Sequence, residues 1–187
     1  MHALATPAHD YTDVAMTRSS TFTRSDYMRL PEGFPAELID GMLVKEPSPT
    51  PWHQRLVQRI FLELTRAVDP ERLLDSPIDF FIDDTNILQP DVLVVREGEI
   101  PGPEDREISV PLIVFEVLSP STAERDRVTK AGKYLAAGVR EVWLVDPETQ
   151  TIEVRTADAS KTVHGTQAAQ STAAPSFRIT PQELFRH

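Results

Sequence analysis

The chain has 187 residues, 40% of them hydrophobic, no cysteine and a formal net charge of −10. That composition describes an ordinary folded chain and excludes a disordered one, a disulfide scaffold, a thiolate metal site and a thiol nucleophile. The acidity excludes a strongly basic, non-specific nucleic-acid binder but leaves open a metal-dependent enzyme, whose site is itself built from carboxylates.

In chain order, residues 1–24 read as a flexible N-terminal tail and residues 25–187 as a single domain. The start lacks the basic and apolar stretches of a signal peptide, and no apolar run approaches the roughly 20 residues of a membrane span. A cytoplasmic protein without a membrane partner is the expectation. Ser25 is placed to cap a short helix through Leu30. Asp40-Gly41, between Leu38-Ile39 and Met42-Leu43-Val44, is a two-residue hairpin signal. Thr50 followed by Pro51 opens a helix with the apolar stripe Trp52, Val57, Ile60 and Leu64. His53 lies on the side of that stripe, while Arg55 and Arg59 face away from it, toward solvent. Strands are predicted at 78–82, 90–95 and 111–118, with an acidic surface loop before the last. Ser121 and Glu124 have the spacing of a capping box for a helix that Gly138 stops. EVWLVD (141–146) is a further apolar strand, TIEVRT (151–156) its hairpin partner, and PQELF a short terminal helix. Alternation of helices and strands predicts a mixed α/β (α+β) class.

Two of these strands raise a chemical question. In PLIVFEVL, Leu112, Val114, Glu116 and Leu118 share one face and Ile113, Phe115 and Val117 the other, the pattern of a strand buried on both sides. PDVLVV is alike, with Asp91 on the face of Leu93 and Val95. An unpaired buried carboxylate costs several kcal/mol or takes up a proton. Two readings follow: a structural ion pair or a strand end reaching solvent, or two carboxylates on neighbouring strands sharing a divalent cation such as Mg²⁺ or Mn²⁺. Periodicity does not choose between them.

ELIDGMLV, SPTPWHQRLV, QPDVLVV, FEVLSPST, the spaced Asp126, Lys130 and Tyr134, and GVREVWLVDPETQTIEV occur in this order. Together they resemble the Uma family of restriction-endonuclease-like proteins, within the PD-(D/E)XK nuclease superfamily, over about residues 25–186. The resemblance implies a restriction-endonuclease-like core, a central mixed sheet flanked by helices. It implies Asp91 and Glu116 as Mg²⁺ ligands, with the backbone carbonyl of Val117 as a third. The E-x-K lysine of the superfamily would fall at position 118, which is Leu118. Lys130 on the next helix either extends its ammonium into the site or is an exposed i,i+4 partner of Asp126. Its helix is expected to bury Val128, Ala131 and Leu135, with Tyr134 either an orienting hydroxyl or, the favoured role, a packing aromatic. Glu37 is either a third acidic group or an exposed strand-end residue, and His53 either a phosphate contact or proton carrier or a packed histidine. The implied function is a Mg²⁺-dependent endonuclease acting on DNA, with a homodimer if both strands of a duplex are cut. The alternative is a non-catalytic nucleic-acid- or protein-binding module on the same fold, which the missing lysine and the acidity favour.

Overall fold

The computed structural model describes residues 21–31 and 33–186, so residues 1–20 of the expected tail lie outside the described residues. Helix α1 (Arg24–Tyr27) is capped by Thr23, not Ser25: Thr23 is extended, and Asp26 returns its hydrogen bond in a reciprocal box. Phe22 N–H already donates to the Gly41 carbonyl at 2.8 Å. The hairpin β1 (Ala36–Ile39) and β2 (Met42–Lys45) turns at Asp40-Gly41, with φ of 50° and 73° as its tight turn requires. Helix α2 (Pro51–Leu64) begins at Thr50, whose hydroxyl accepts from His53 N–H. Leu56, Val57, Ile60 and Leu64 form its buried stripe. Arg59 departs from expectation: its guanidinium lies 5.4 Å from the Trp52 ring centroid and donates to the Leu184 carbonyl at 2.8 Å. A long stem lets it cross from the solvent face to an apolar ring.

The strands that follow are β3 (Leu73–Asp75), β4 (Phe80–Asp83), β5 (Asn86–Leu88), β6 (Val92–Val94) and β7 (Ile113–Val117). Helix α3 covers residues 123–136. After it come β8 (Glu141–Asp146), β9 (Thr151–Arg155), β10 (Ser160–His164), β11 (Ala169–Gln170), β12 (Arg178–Ile179) and helix α4 (Pro181–Leu184). The main sheet has the order β10-β9-β8-β7-β6-β3 and a second sheet the order β2-β1-β5-β4. In the main sheet β7 and β8 pair in parallel, in the register Glu116 to Leu144, and the other pairs are antiparallel. A parallel pair needs a crossover, and α3 supplies it. The result is the expected α/β architecture with a central mixed sheet flanked by helices.

Both faces of β7 are covered. Ile113, Phe115 and Val117 pack with α2, Trp143 and Phe177. Val114 and Leu118 pack with Ala131 and Tyr134 of α3, and with Ile39, Phe80 and Leu88 of the second sheet. Glu116 belongs to this second face, so its carboxylate points at α3.

Glu141 anchors the C-terminal segment. It is 1% exposed, yet its carboxylate accepts only neutral donors: Trp143 Nε1 at 3.0 Å, Ser171 Oγ at 2.7 Å, Thr172 N at 2.6 Å and Ala173 N at 2.9 Å. Burial alone would raise its pKa, but the hydrogen bonds from Thr172, Ser171, Trp143 and Ala173 outweigh it and hold the group below the ordinary glutamate range. A depressed folded-state pKa stabilises the fold above the unfolded value of 4.5, and that contribution is lost as pH falls through the folded value. Glu141→Gln is expected to cost about 2–3 kcal/mol in urea unfolding at pH 7. It should also flatten the loss of stability seen in wild type as pH is lowered below 4.5.

Candidate active site

Glu116 lies in β7, and β6 runs antiparallel beside it with Val92 opposite Phe115. That register brings Asp91, one residue before β6, next to the end of β7. Asp91 Oδ2 accepts the Val117 N–H at 2.7 Å. Asp91 and Glu116 both line one cleft of about 660 Å³.

Helix α3 delivers the cation. Within it, Ala131 N–H donates to the Asp126 carbonyl, five residues back, making a single π turn over Asp126–Lys130. Such turns are often found at functional sites. Asp126, Lys130 and Tyr134, at i, i+4 and i+8, share the inner side and are all buried, while Val128 is 70% exposed. The expected burial of Val128 does not occur, because it stands two residues from Asp126 and Lys130 and so on the opposite side of the helix. The Ser121–Glu124 capping box also does not form. The first turn starts at Ala123, and the Ser119 carbonyl takes the N–H groups of Thr122 and Ala123.

Lys130 is 3% exposed, which rules out an exposed partner of Asp126. Its Nζ lies 2.8 Å from Glu37 Oε1 and 2.9 Å from Glu116 Oε1, against 3.9 Å from Asp126 Oδ1. Glu37 is 0% exposed, so it is not a surface strand end. Gln89 N–H donates to the same Glu37 oxygen at 2.6 Å. Tyr134 does pack, stacked on Phe80 with centroids 6.3 Å apart, and its hydroxyl also donates to Glu116 Oε1 at 2.6 Å. His53 Nε2 lies 3.3 Å from Asp91 Oδ2, while its Nδ1 is buried without a hydrogen-bond partner. Four of the five candidate side chains, Asp91, Glu116, Lys130 and His53, thus line one cleft, and Glu37 is buried against Lys130.

Protonation follows from burial and charge. Burial raises Glu116 well above the ordinary carboxylate range, with Lys130 opposing and Asp126, Asp91 and Glu37 reinforcing. Burial alone would lower Lys130, but Glu116, Glu37 and Asp126 overcome it and keep the ammonium charged. Burial would likewise lower His53, yet the hydrogen bond and charge of Asp91 leave it raised. Asp126 is raised by burial despite Lys130, and Glu46 by burial and the charge of Glu37.

Glu46, Arg125 and Gln89 belong to this surround and escaped the sequence reading. Arg125 Nη2 meets Glu46 Oε1 at 2.6 Å. Nothing in the spacing of VKEPSP or AERD distinguishes these charges from solvated ones; only the packing of β2 against the start of α3 brings them together.

Glu46, Asp91, Glu116 and Asp126 line the cleft, facing Lys130 and His53. Buried Glu37 Oε2 and Asp126 Oδ1 have no hydrogen-bond partner. Among the described residues no three His, Asp or Glu side chains form a ready-made metal-ligand group. The oxygen-only donors and the surplus of negative charge nevertheless fit a hard divalent cation.

The family model of Uma2, described as "Putative restriction endonuclease", matches residues 24–182. The chain belongs to the Uma2 family. A solved structure from Anabaena variabilis ATCC 29413, described as "a putative nuclease belonging to DUF820", is similar with a TM-score of 0.77. The two chains are 23% identical, over 88% of this chain and 97% of that one. At that identity the likeness establishes the fold. No match is found among curated proteins. Family membership makes this a nuclease-type chain, and among the described residues no helix is long and apolar enough to cross a membrane.

In this Uma2 chain Leu118 is buried in the α3-side core, and an ammonium reaches Glu116 from the helix instead. Removing it strands two buried carboxylates. Lys130→Met is expected to cost about 3–5 kcal/mol at neutral pH in urea unfolding. Without the lysine the native acids bind protons more readily than the unfolded chain does, so the variant should lose stability as pH rises from 5 to 8, by about a kcal/mol or more.

Proposed function

We propose that this protein is a Mg²⁺- or Mn²⁺-dependent endonuclease that hydrolyses phosphodiester bonds in DNA. The observation that carries this reading is the buried Lys130 ammonium, 2.9 Å from Glu116 Oε1, at the floor of an acid-lined cleft. It offers a substitute for the lysine absent at position 118 and weakens the case for a non-catalytic module. Asp91, Glu116 and the Val117 carbonyl would hold the cation. When bound, the cation supplies Lewis-acid polarisation and neutralises charge at the phosphate.

The chain's own groups do the rest. Lys130 favours the ionised form of Glu116 and places positive charge beside the point where the phosphate gains negative charge. Glu37 and Tyr134 hold Lys130 and Glu116 in register, one through Oε1 and the other through its hydroxyl. His53 orients Asp91 through Nε2. Hydrolysis adds a water oxygen to phosphorus and expels the ester oxygen of the neighbouring nucleotide.

Cleavage of labelled DNA should appear with Mg²⁺ or Mn²⁺ and vanish with EDTA. Asp91→Ala and Glu116→Gln should each lower its rate by about 100-fold or more; unchanged rates would sink the assignment. The divalent ion should also raise the melting temperature over an EDTA baseline, because it binds the native state alone. Asp91→Ala should abolish that rise.

A further inference from the structure

We propose that the cleft takes a single, unpaired DNA strand, with the phosphodiester flanking the scissile one seated on Lys45 and Arg125. This rests on the nuclease reading above. The observation behind it is a second recess of about 330 Å³, lined by Lys45, Glu46, Pro47, Ser121, Thr122 and Arg125. Glu46, Pro47, Ser121 and Thr122 also line the main cleft, so the two adjoin.

The chemistry changes along that path. The main cleft presents four carboxylates, and its lysine is already held by Glu37 and Glu116. The recess presents the cations. Lys45 is exposed at the end of β2 and makes no ion pair among the described residues. Arg125 gives Nη2 to Glu46, and its buried Nε lies 3.8 Å from Asp126 Oδ1, which leaves Nη1 without a hydrogen-bond partner among the described residues. A guanidinium has five N–H donors, so this one retains capacity for phosphate oxygens.

The walls argue against a duplex. Phe34, Pro47, Pro49 and Pro120 border the cleft, with Trp52, whose ring lies under the Arg59 guanidinium. Apolar and ring surfaces accept the faces of unpaired bases, and such stacking is worth about 1–3 kcal/mol per base. A duplex keeps those faces closed and presents a charge about every 1.7 Å along its axis, calling for a broad basic stripe. Lys130, Lys45 and Arg125 are the Lys and Arg residues lining the two recesses, and Lys130 is internal. A single-stranded substrate also removes the need for a second subunit to cut an opposing strand.

The test is binding of the full chain to a labelled single-stranded DNA and to the same sequence as duplex. Fluorescence anisotropy is read in Ca²⁺, which takes the same oxygen ligands. The single strand should bind tighter by about tenfold or more. Lys45→Gln should weaken it about three- to tenfold and reduce the slope of log K against log salt by about 0.7, the value for one lost phosphate contact on a single strand. Arg125→Gln should act in the same direction, while exposed Arg55→Gln should change neither quantity. Equal or tighter duplex binding, or an unchanged affinity and slope in Lys45→Gln, would overturn this inference and leave the nuclease reading standing. Failure to bind either form in Ca²⁺, with no cleavage of either in Mg²⁺, would overturn both.

Discussion

A buried ammonium shared by two buried carboxylates governs this molecule. Lys130 sits between Glu37 of β1 and Glu116 of β7, within 2.8 and 2.9 Å. Three chain segments distant in sequence must therefore meet at one point. Each ion alone would carry a desolvation penalty of several kcal/mol, so none is tolerable without the others. The contact joins the small sheet to the main sheet through α3 and fixes the depth at which the helix lies.

The rest of the scaffold follows from that demand. The parallel pairing of β7 and β8 forces a crossover, and the crossover is the helix that bears the lysine. Asp126, Lys130 and Tyr134 follow one another at i, i+4 and i+8 on its inner side, across the π turn at Asp126–Lys130. Distant from this, Glu141 solves carboxylate burial in the opposite way, with backbone and hydroxyl donors and no cation, and its pKa falls where that of Glu116 rises. The contrast separates a finished structural anion from a site left with surplus negative charge. In the proposed function, that surplus is what would draw a divalent cation, and through it a phosphate, into an acidic cleft.

Much was legible in the sequence because local rules decide it. Asp40-Gly41 specified its hairpin, as both residues tolerate positive φ. Thr50-Pro51 specified the start of α2, and the two-faced apolar pattern specified β7 as a central strand. The short strands β3 and β5 were not legible, being three residues each and formed by their neighbours rather than by their own pattern. The motifs also pointed to Asp91 and Glu116 as one neighbourhood, since each acid stood in an apolar strand.

Sequence by itself thus determined the family, the sheet-and-helix class, and that Glu116 lies within a buried strand, while Asp91, expected inside a strand, stands one residue before one. Tertiary structure decided what those carboxylates touch. Whether Lys130 was a solvated partner of Asp126 or a buried cation depended on which side of α3 packs against the sheets, which spacing within the helix does not say. Whether Glu37 was exposed depended on α3 bringing Lys130 against it, and the meeting of Glu46 with Arg125 on β2 approaching the start of α3. The physical reason is range. Hydrogen bonds of turns and caps act within a few residues, whereas burial and ion pairing are set by segments that approach only after the chain has folded.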